Sequence, residues 1–279
     1  MINTFNESHL HKALKTFYAV QFSAQEEVKV GRWICDLVRP DGSVVEIQTK
    51  NVNSLKEKIF GLLNEGRRVT IVRPIVREKI IETYSQDGEL VSRRKSPKKE
   101  SLYAVLSEFT GLAPLLCDKK LAFLFPEISA LEKRVKLSEP EQSKNKRRRF
   151  RKDWQKTDKA LLTIGATAKF CGKSDWLSLL PMSFSRPDAG IQAPNAAPKS
   201  DASPKRGAAL RSNKNTEPFC ASLVRDAFLA EQKKEAAPHA NLLLWLLREA
   251  GLIVRVPHEG RGYYYQLSTM SSSSRFSMS

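Results

Sequence analysis

The spacing of apolar residues changes character several times along the chain, and each change marks an element. Between residues 8 and 20, Leu10, Leu14, Phe17 and Tyr18 recur at helical spacing behind Ser8, a capping residue. Residues 26–30 then read as a short strand. From 32 to 50 come two near-continuous apolar runs around Pro40-Asp41-Gly42. Pro presets φ, Asp tolerates the second loop position and Gly accepts a left-handed third, so a three-residue hairpin loop is expected. Helical spacing returns over 54–64, where Leu55, Ile59, Leu62 and Leu63 point inward, Asn53 is the expected cap and Gly66 the stop. Residues 69–72 predict a buried strand. The order helix, strand, strand, strand, helix, strand makes a mixed sheet with helices on both faces. A second hairpin is expected over 80–93, a helix over 101–109 and a buried strand over 119–125.

Each of the two apolar strands carries one carboxylate, Asp36 and Glu46. With a three-residue loop Arg39 opposes Ser43, and counting back sets Asp36 opposite Glu46. Opposed residues share a face, and like charges there destabilise a sheet. A two-residue loop would move Asp36 to the other face, but Pro40 has no amide hydrogen for a ladder. Pairing with nearby arginines or solvation at a sheet edge is the ordinary fate of a lone strand carboxylate. Here Ile34 and Val38 flank Asp36 on one face, Trp33, Cys35 and Leu37 line the other, and Val45 and Ile47 do the same on the second strand. Strands apolar on both faces belong in the middle of a covered sheet. A buried carboxylate pair there needs a cation, and hard oxygen ligands suit Mg²⁺ or Mn²⁺.

An Asp, a short turn and then Glu46-Ile47-Gln48 resemble the PD-(D/E)xK nuclease superfamily. The resemblance implies an α/β (α+β) fold, a restriction-endonuclease-like mixed sheet flanked by helices. It implies Asp36 and Glu46 as metal ligands, with the Ile47 carbonyl as a further donor and Glu27 or Glu26 as a third acid. The pattern departs at Gln48, where the superfamily has a lysine that positions the attacking water. Glutamine orients a water without adding charge. Lys50, on the same face, and Lys56, early in the next helix, are the alternative sources of that charge. His9 and His11, two apart on a helix, splay away from each other and are taken as surface residues.

Composition sharpens the partner. Among 279 residues the net charge is +17, which favours a polyanion such as nucleic acid. The basic segments are Arg93-Arg94-Lys95 with Lys98 and Lys99, and residues 144–152, containing Arg147, Arg148, Arg149, Arg151 and Lys152. Both suit phosphate contacts without sequence preference; Phe150 and Trp154 would stack on bases or anchor the segment. No apolar run is long enough to span a bilayer, and the polar start has no signal-peptide pattern, so a cytoplasmic protein that does not enter membranes is expected. Cys35, Cys117, Cys171 and Cys220 are far apart and give no zinc or disulfide pattern.

Residues 183–216, with Pro187, Pro194, Pro198 and Pro204 among Ala, Ser, Asn and Lys, predict a disordered linker, and 268–279 a loose tail. Between them, helices over 221–234 and 239–250, with the leucines and Trp245 as core, precede a hairpin over 252–267. This resembles a winged helix-turn-helix, with Asp175 to Leu180 supplying a first helix. The resemblance implies DNA contacts from His239, Asn241 and Arg248 on the second helix and from Arg255, His258 and Arg261 at the wing. The layout is therefore a nuclease-like core over 1–142, a basic segment and helices over 143–182, the linker, the winged module over 217–267 and the tail. The whole resembles an uncharacterised group of bacterial proteins.

The expected function is a Mg²⁺- or Mn²⁺-dependent DNA phosphodiesterase acting on duplex, with oligomeric state open because such nucleases often work as homodimers. Two alternatives stand beside it. One is a nuclease-fold DNA-binding or regulatory protein attenuated by Gln48. The other is an adaptor whose basic face binds RNA or acidic protein partners.

Overall fold

The computed structural model describes residues 8–141, 152–185, 218–258 and 262–268. The chain forms two units, Met1–Gly172 and Lys173–Ser279. The first is a mixed α/β unit, a multi-stranded sheet flanked by helices.

Helix α1 (His9–Phe22) opens on Ser8, whose hydroxyl accepts the His11 amide hydrogen at 3.3 Å, and closes on Ser23 in a left-handed conformation (φ 48°). Strands β1 (Gln25–Val30), β2 (Trp33–Val38) and β3 (Val44–Ile47) follow as an antiparallel meander. Helix α2 (Lys56–Asn64) leads to β4 (Val69–Val72), parallel to β3. Strand β5 (Ile75–Tyr84) and β6 (Leu90–Lys95) form the expected second hairpin. A short α3 (Leu102–Val105) and a 3₁₀ helix over Leu106–Leu115 precede β7 (Leu121–Glu141) and β8 (Lys152–Phe170). The sheet order is β1-β2-β3-β4-β7-β5-β6, with β8 on β7. Strands β4 and β5 take successive stretches of β7, which leaves the other edge of β7 to β8.

The apolar stripe of α1 seats Leu10, Leu14 and Tyr18 on Leu37, Val45, Ile47, Val72, Ile128 and Ala130 of the sheet. Ile59, Leu62 and Leu63 of α2 are buried, as are Phe109 and Leu112 of the 3₁₀ helix. Phe109 packs edge-on against Phe123 and Phe125 at centroid distances of 5.5 and 5.6 Å.

The hairpin register is the one that the loop chemistry predicts. Leu37 opposes Val45 and Val38 opposes Val44. The Arg39 amide donates to the Ser43 carbonyl at 2.9 Å, and the Gly42 amide to the Arg39 carbonyl at 2.9 Å. Gly42 takes φ 75°, open to glycine at little cost. The Asp41 carboxylate accepts from the Ser43 amide at 3.0 Å and hydroxyl at 2.6 Å, closing the turn.

Several details differ from expectation. Strand β3 is buried throughout, but β2 lies one strand from the edge and leaves Ile34 48% exposed, so only one of the two strands is covered on both sides. Phe17 points outward. Asn53 does not cap α2; its side chain accepts the Gly111 amide at 2.7 Å and donates to Thr110 at 3.0 Å, pinning the 3₁₀ helix. The largest change concerns residues 152–170, expected within a basic segment and helices. They form the 19-residue β8, paired along β7 with several bulges. The strand belongs to the sheet of the first unit, whose boundary falls at Gly172.

The second unit contains α4 (Lys173–Leu177), α5 (Met182–Ser185), β9 (Phe219–Cys220), α6 (Ala221–Ala230), α7 (Ala240–Glu249), β10 (Ile253–Val256) and β11 (Tyr264–Leu267). The strands pair antiparallel in the order β10-β11-β9. Val224, Phe228, Leu243, Leu244, Leu246, Leu247 and Ile253 are buried. Trp245, expected in the core, faces outward at 36% exposure. A helix turns about 100° per residue, so a run of consecutive apolar residues cannot all face inward. Residues 186–217, the larger part of the expected linker, the tail from 269, and Arg261 lie outside the described residues.

Candidate active site

The antiparallel ladder between β2 and β3 stops at Leu37 and Val45. Beyond it β2 follows β1, while β3 stays paired with β4 as far as Ile47 and Val72. The strands fork there, and backbone groups that would have bonded across the ladder need other partners. Side chains supply them. The Ile47 amide donates to Asp36 Oδ2 at 2.7 Å, and the Asp36 amide to Glu46 Oε1 at 3.4 Å. The Ile47 carbonyl accepts from His11 Nε2 at 2.8 Å, which fixes that nitrogen as the protonated one. The Ile34 carbonyl accepts from Lys58 Nζ at 2.5 Å.

The fork thus gathers Asp36 and Glu46 with His11 from α1 and Lys58 from α2. Lys58 Nζ lies 2.6 Å from Glu46 Oε1, with side chains only 14% and 2% exposed. His11 Nε2 is 3.6 Å from Asp36 Oδ2. Burial, reinforced by the Asp36 charge and only partly offset by Lys58, pushes the Glu46 carboxyl up to about 7. Burial works the same way on Asp36, but hydrogen bonds from His11 and the Ile47 amide, with the charges of His11 and Lys58, outweigh it and hold Asp36 below its ordinary value. Neighbouring Cys35 is fully buried, and burial with the Glu46 charge raises its thiol to about 12, an inert core residue.

Two of these four residues were not expected. His11 is not an ordinary surface residue. It sits one residue from Leu10 and four before Lys15, both buried, so it lies at the rim of the packed face of α1 and reaches the fork. Its neighbour His9 does lie at the surface and pairs with Asp158 at 2.9 Å. The lysine that lies beside Glu46 is Lys58, not Lys50 or Lys56. Lys50 is exposed and presses electrostatically on Lys156 of β8; Lys56 lies 6.0 Å above the Phe60 ring. Gln48 bends into the following loop and donates to the Asn51 carbonyl at 3.3 Å and Ser54 Oγ at 3.1 Å. Continuing the β1–β2 register sets Glu27 opposite Asp36, yet its left-handed backbone (φ 54°) takes it out of the ladder, and its carboxylate pairs with Lys15 at 2.8 Å.

The oxygens gathered here are of the kind that a hard divalent cation takes. Two carboxylates and the Ile47 carbonyl offer only oxygen, and a single atom, His11 Nε2, lies near both Asp36 Oδ2 and the Ile47 carbonyl. Among the described residues no three His, Cys, Asp or Glu side chains converge as a metal cluster. A cation here would therefore rest on two carboxylates, with water or substrate phosphate completing its shell, as Mg²⁺ often does.

The expected nucleic-acid contacts are scattered over both units. On β6, Arg93 pairs with Glu82 at 3.4 Å and Lys95 with Glu78 at 2.7 Å, while Arg94 is exposed. Arg147, Arg148, Arg149, Arg151 and Phe150 lie outside the described residues; the backbone of Lys152 starts β8. Trp154 stacks under the Arg134 guanidinium at 3.4 Å, an anchoring contact within the sheet. In the second unit His239 is half-buried in a 3₁₀ turn and Asn241 is exposed on α7. Arg248 bonds Glu249 at 2.5 Å, Arg255 stacks 3.7 Å over Tyr263, and the His258 ring lies 3.5 Å from that of Tyr264. Among the described residues no helix is long and apolar enough to cross a membrane.

Comparison with known proteins finds a relative that shares part of the chain. A Treponema pallidum (strain Nichols) protein, described as an uncharacterized protein, is 38% identical over 121 residues, 43% of this chain and 47% of that protein. The match spans about half the length of that relative. No solved structure matches. A family model described as Domain of unknown function (DUF8091) matches residues 8–171, which hold α1, the whole sheet and the carboxylate fork. The chain belongs to the DUF8091 family.

Proposed function

We propose that the chain is a metal-dependent nucleic-acid phosphodiesterase, with a variant PD-(D/E)xK core and a winged-helix second unit. The observation that carries this reading is the fork: two face-to-face carboxylates on diverging strands, with Lys58 Nζ 2.6 Å from Glu46. Lys58 supplies from α2 the charge that the superfamily pattern carries where Gln48 stands here. Mg²⁺ or Mn²⁺, held by Asp36, Glu46 and the Ile47 carbonyl, would polarise the scissile phosphate and acidify a water. The chain does the positioning. Lys58, fixed by the Ile34 carbonyl, holds Glu46 and offers positive charge toward a phosphate oxygen. The Ile47 amide and His11 fix Asp36. The +17 net charge favours a polyanionic substrate, and the basic run over 144–152 is the proposed source of phosphate contacts.

A second reading is favoured by the same contacts. Each carboxylate already has a partner inside the chain, Lys58 for Glu46 and His11 for Asp36. In that reading the fold binds DNA without cutting it. Plasmid and oligonucleotide cleavage in Mg²⁺ or Mn²⁺ separates the two. The phosphodiesterase reading predicts cleavage that is lost in Asp36→Ala. A wild type that binds duplex but stays inert with both metals points to the binding-only protein.

A further inference from the structure

A cavity of about 630 Å³ lies in the first unit, at the opposite end of the sheet from the fork. It is lined by Ser43, Val69 and Leu121, at or next to the starts of β3, β4 and β7, whereas the fork lies at the end of β3. Such a volume suits a small-molecule ligand. One wall is aromatic and comes from α1. Tyr18 and Phe22 stack with centroids 5.4 Å apart, and Phe17, 42% exposed, meets Tyr18 edge-on at 5.1 Å.

The rest of the lining is unbalanced in charge. It carries five cations, Arg39, Arg68, Lys119, Lys120 and Lys169, against one acid, Asp41. Asp41 is already committed to the Ser43 amide and hydroxyl, and lies 3.5 Å from Arg68. Arg39 is left over. Its Nε is buried without a hydrogen-bond partner, and its guanidinium lies 3.7 Å over the Phe22 ring. Burial holds that guanidinium below its ordinary value, and Arg68 acts the same way against a partial offset from Asp41. A buried donor without an acceptor is costly and is satisfied by an anion. A guanidinium with an unpartnered Nε, an exposed aromatic and a basic rim around one concave space select for a planar ring joined to phosphate.

We propose that this cavity binds a nucleoside phosphate, its ring against the exposed Phe17 and its phosphates on Arg39, Arg68 and the Lys119–Lys120 pair. The proposal does not depend on the fork being hydrolytic. The ligand could be a free nucleotide or the phosphorylated end of a strand, and the test distinguishes them.

Isothermal titration of the full chain with ATP, adenosine, tripolyphosphate and a 5′-phosphorylated single-stranded decamer decides the matter. ATP is expected to bind one to one, with adenosine and tripolyphosphate each about tenfold weaker or more. Tighter binding of the decamer than of ATP would identify a strand end as the natural occupant. Arg39→Gln should weaken ATP about tenfold, roughly the contribution of one charged hydrogen bond. Should that variant fail to fold, the exposed pair Lys119→Gln/Lys120→Gln carries the test and should weaken ATP in the same direction. Asp36→Ala should leave ATP binding unchanged. Three results would overturn the proposal: tripolyphosphate binding as tightly as ATP, no saturable ATP binding, or a loss of binding in Asp36→Ala.

Discussion

Glu46 is the residue on which the local physics turns. Its side chain is 2% exposed and its carboxyl is raised to about 7 by burial and by Asp36. An unfolded glutamate titrates near 4.3. Between those values the folded state binds the proton that the unfolded state has lost, so stability falls as pH rises through the window. Below the window both states are protonated, and above it both are ionised, so the curve flattens at each end. In EDTA, urea midpoints should therefore decline from about pH 4.5 to about 7, and Glu46→Gln should remove that decline. Lys58→Met takes away the group that lowers Glu46, so the decline should extend above pH 7. A Glu46→Gln profile identical to wild type would contradict this account of the pair.

At the scale of elements, the fork between β2 and β3 makes the site. The Ile47 amide gives its hydrogen to the Asp36 carboxylate where a ladder carbonyl would otherwise accept it. In Asp36→Ala that hydrogen should exchange markedly faster, while Val45, inside the paired register with Leu37, stays protected. Hydrogen exchange by NMR reads both amides, and equal acceleration would mean that the hairpin as a whole had opened. The loop adds a second check. Gly42→Ala forces a Cβ into φ 75° and should cost about 1–2 kcal/mol in urea unfolding. This hairpin was legible because loop chemistry, strand period and register are all local. Pro40, Asp41 and Gly42 determine the turn, and the turn sets Asp36 against Glu46. His11 and Lys58 were not legible, because the angles at which α1 and α2 lie on the sheet decide which helical residue meets a strand end. A count of helical positions treats Lys56 and Lys58 alike; packing does not. Strand β8 was hidden for a different reason. Among its described residues Phe170 alone is a buried large side chain, and the strand opens beside a run of lysines and arginines that masks its alternation.

For the whole molecule, charge and site lead to one expectation. A +17 chain should bind duplex with an affinity that falls steeply with salt, and the slope counts the phosphates it neutralises. Arg93 and Lys95 are tied to Glu82 and Glu78, so replacing them should change that slope little. Replacing Arg147, Arg148 and Arg149 together should reduce it by roughly 2 to 3, at close to one unit per phosphate contact. Filter binding over a salt series measures this, and an unchanged slope would remove that segment from the interface. On the proposed reading Asp36, Glu46 and Lys58 form a hydrolytic centre. The most direct test of that reading is the rate of supercoiled-plasmid nicking in Mn²⁺ by wild type and by Lys58→Met. Metal-dependent nicking by wild type and a loss of about a hundredfold or more in the variant are expected. Nicking by Lys58→Met at the wild-type rate, or a wild type that does not nick at all, would contradict it.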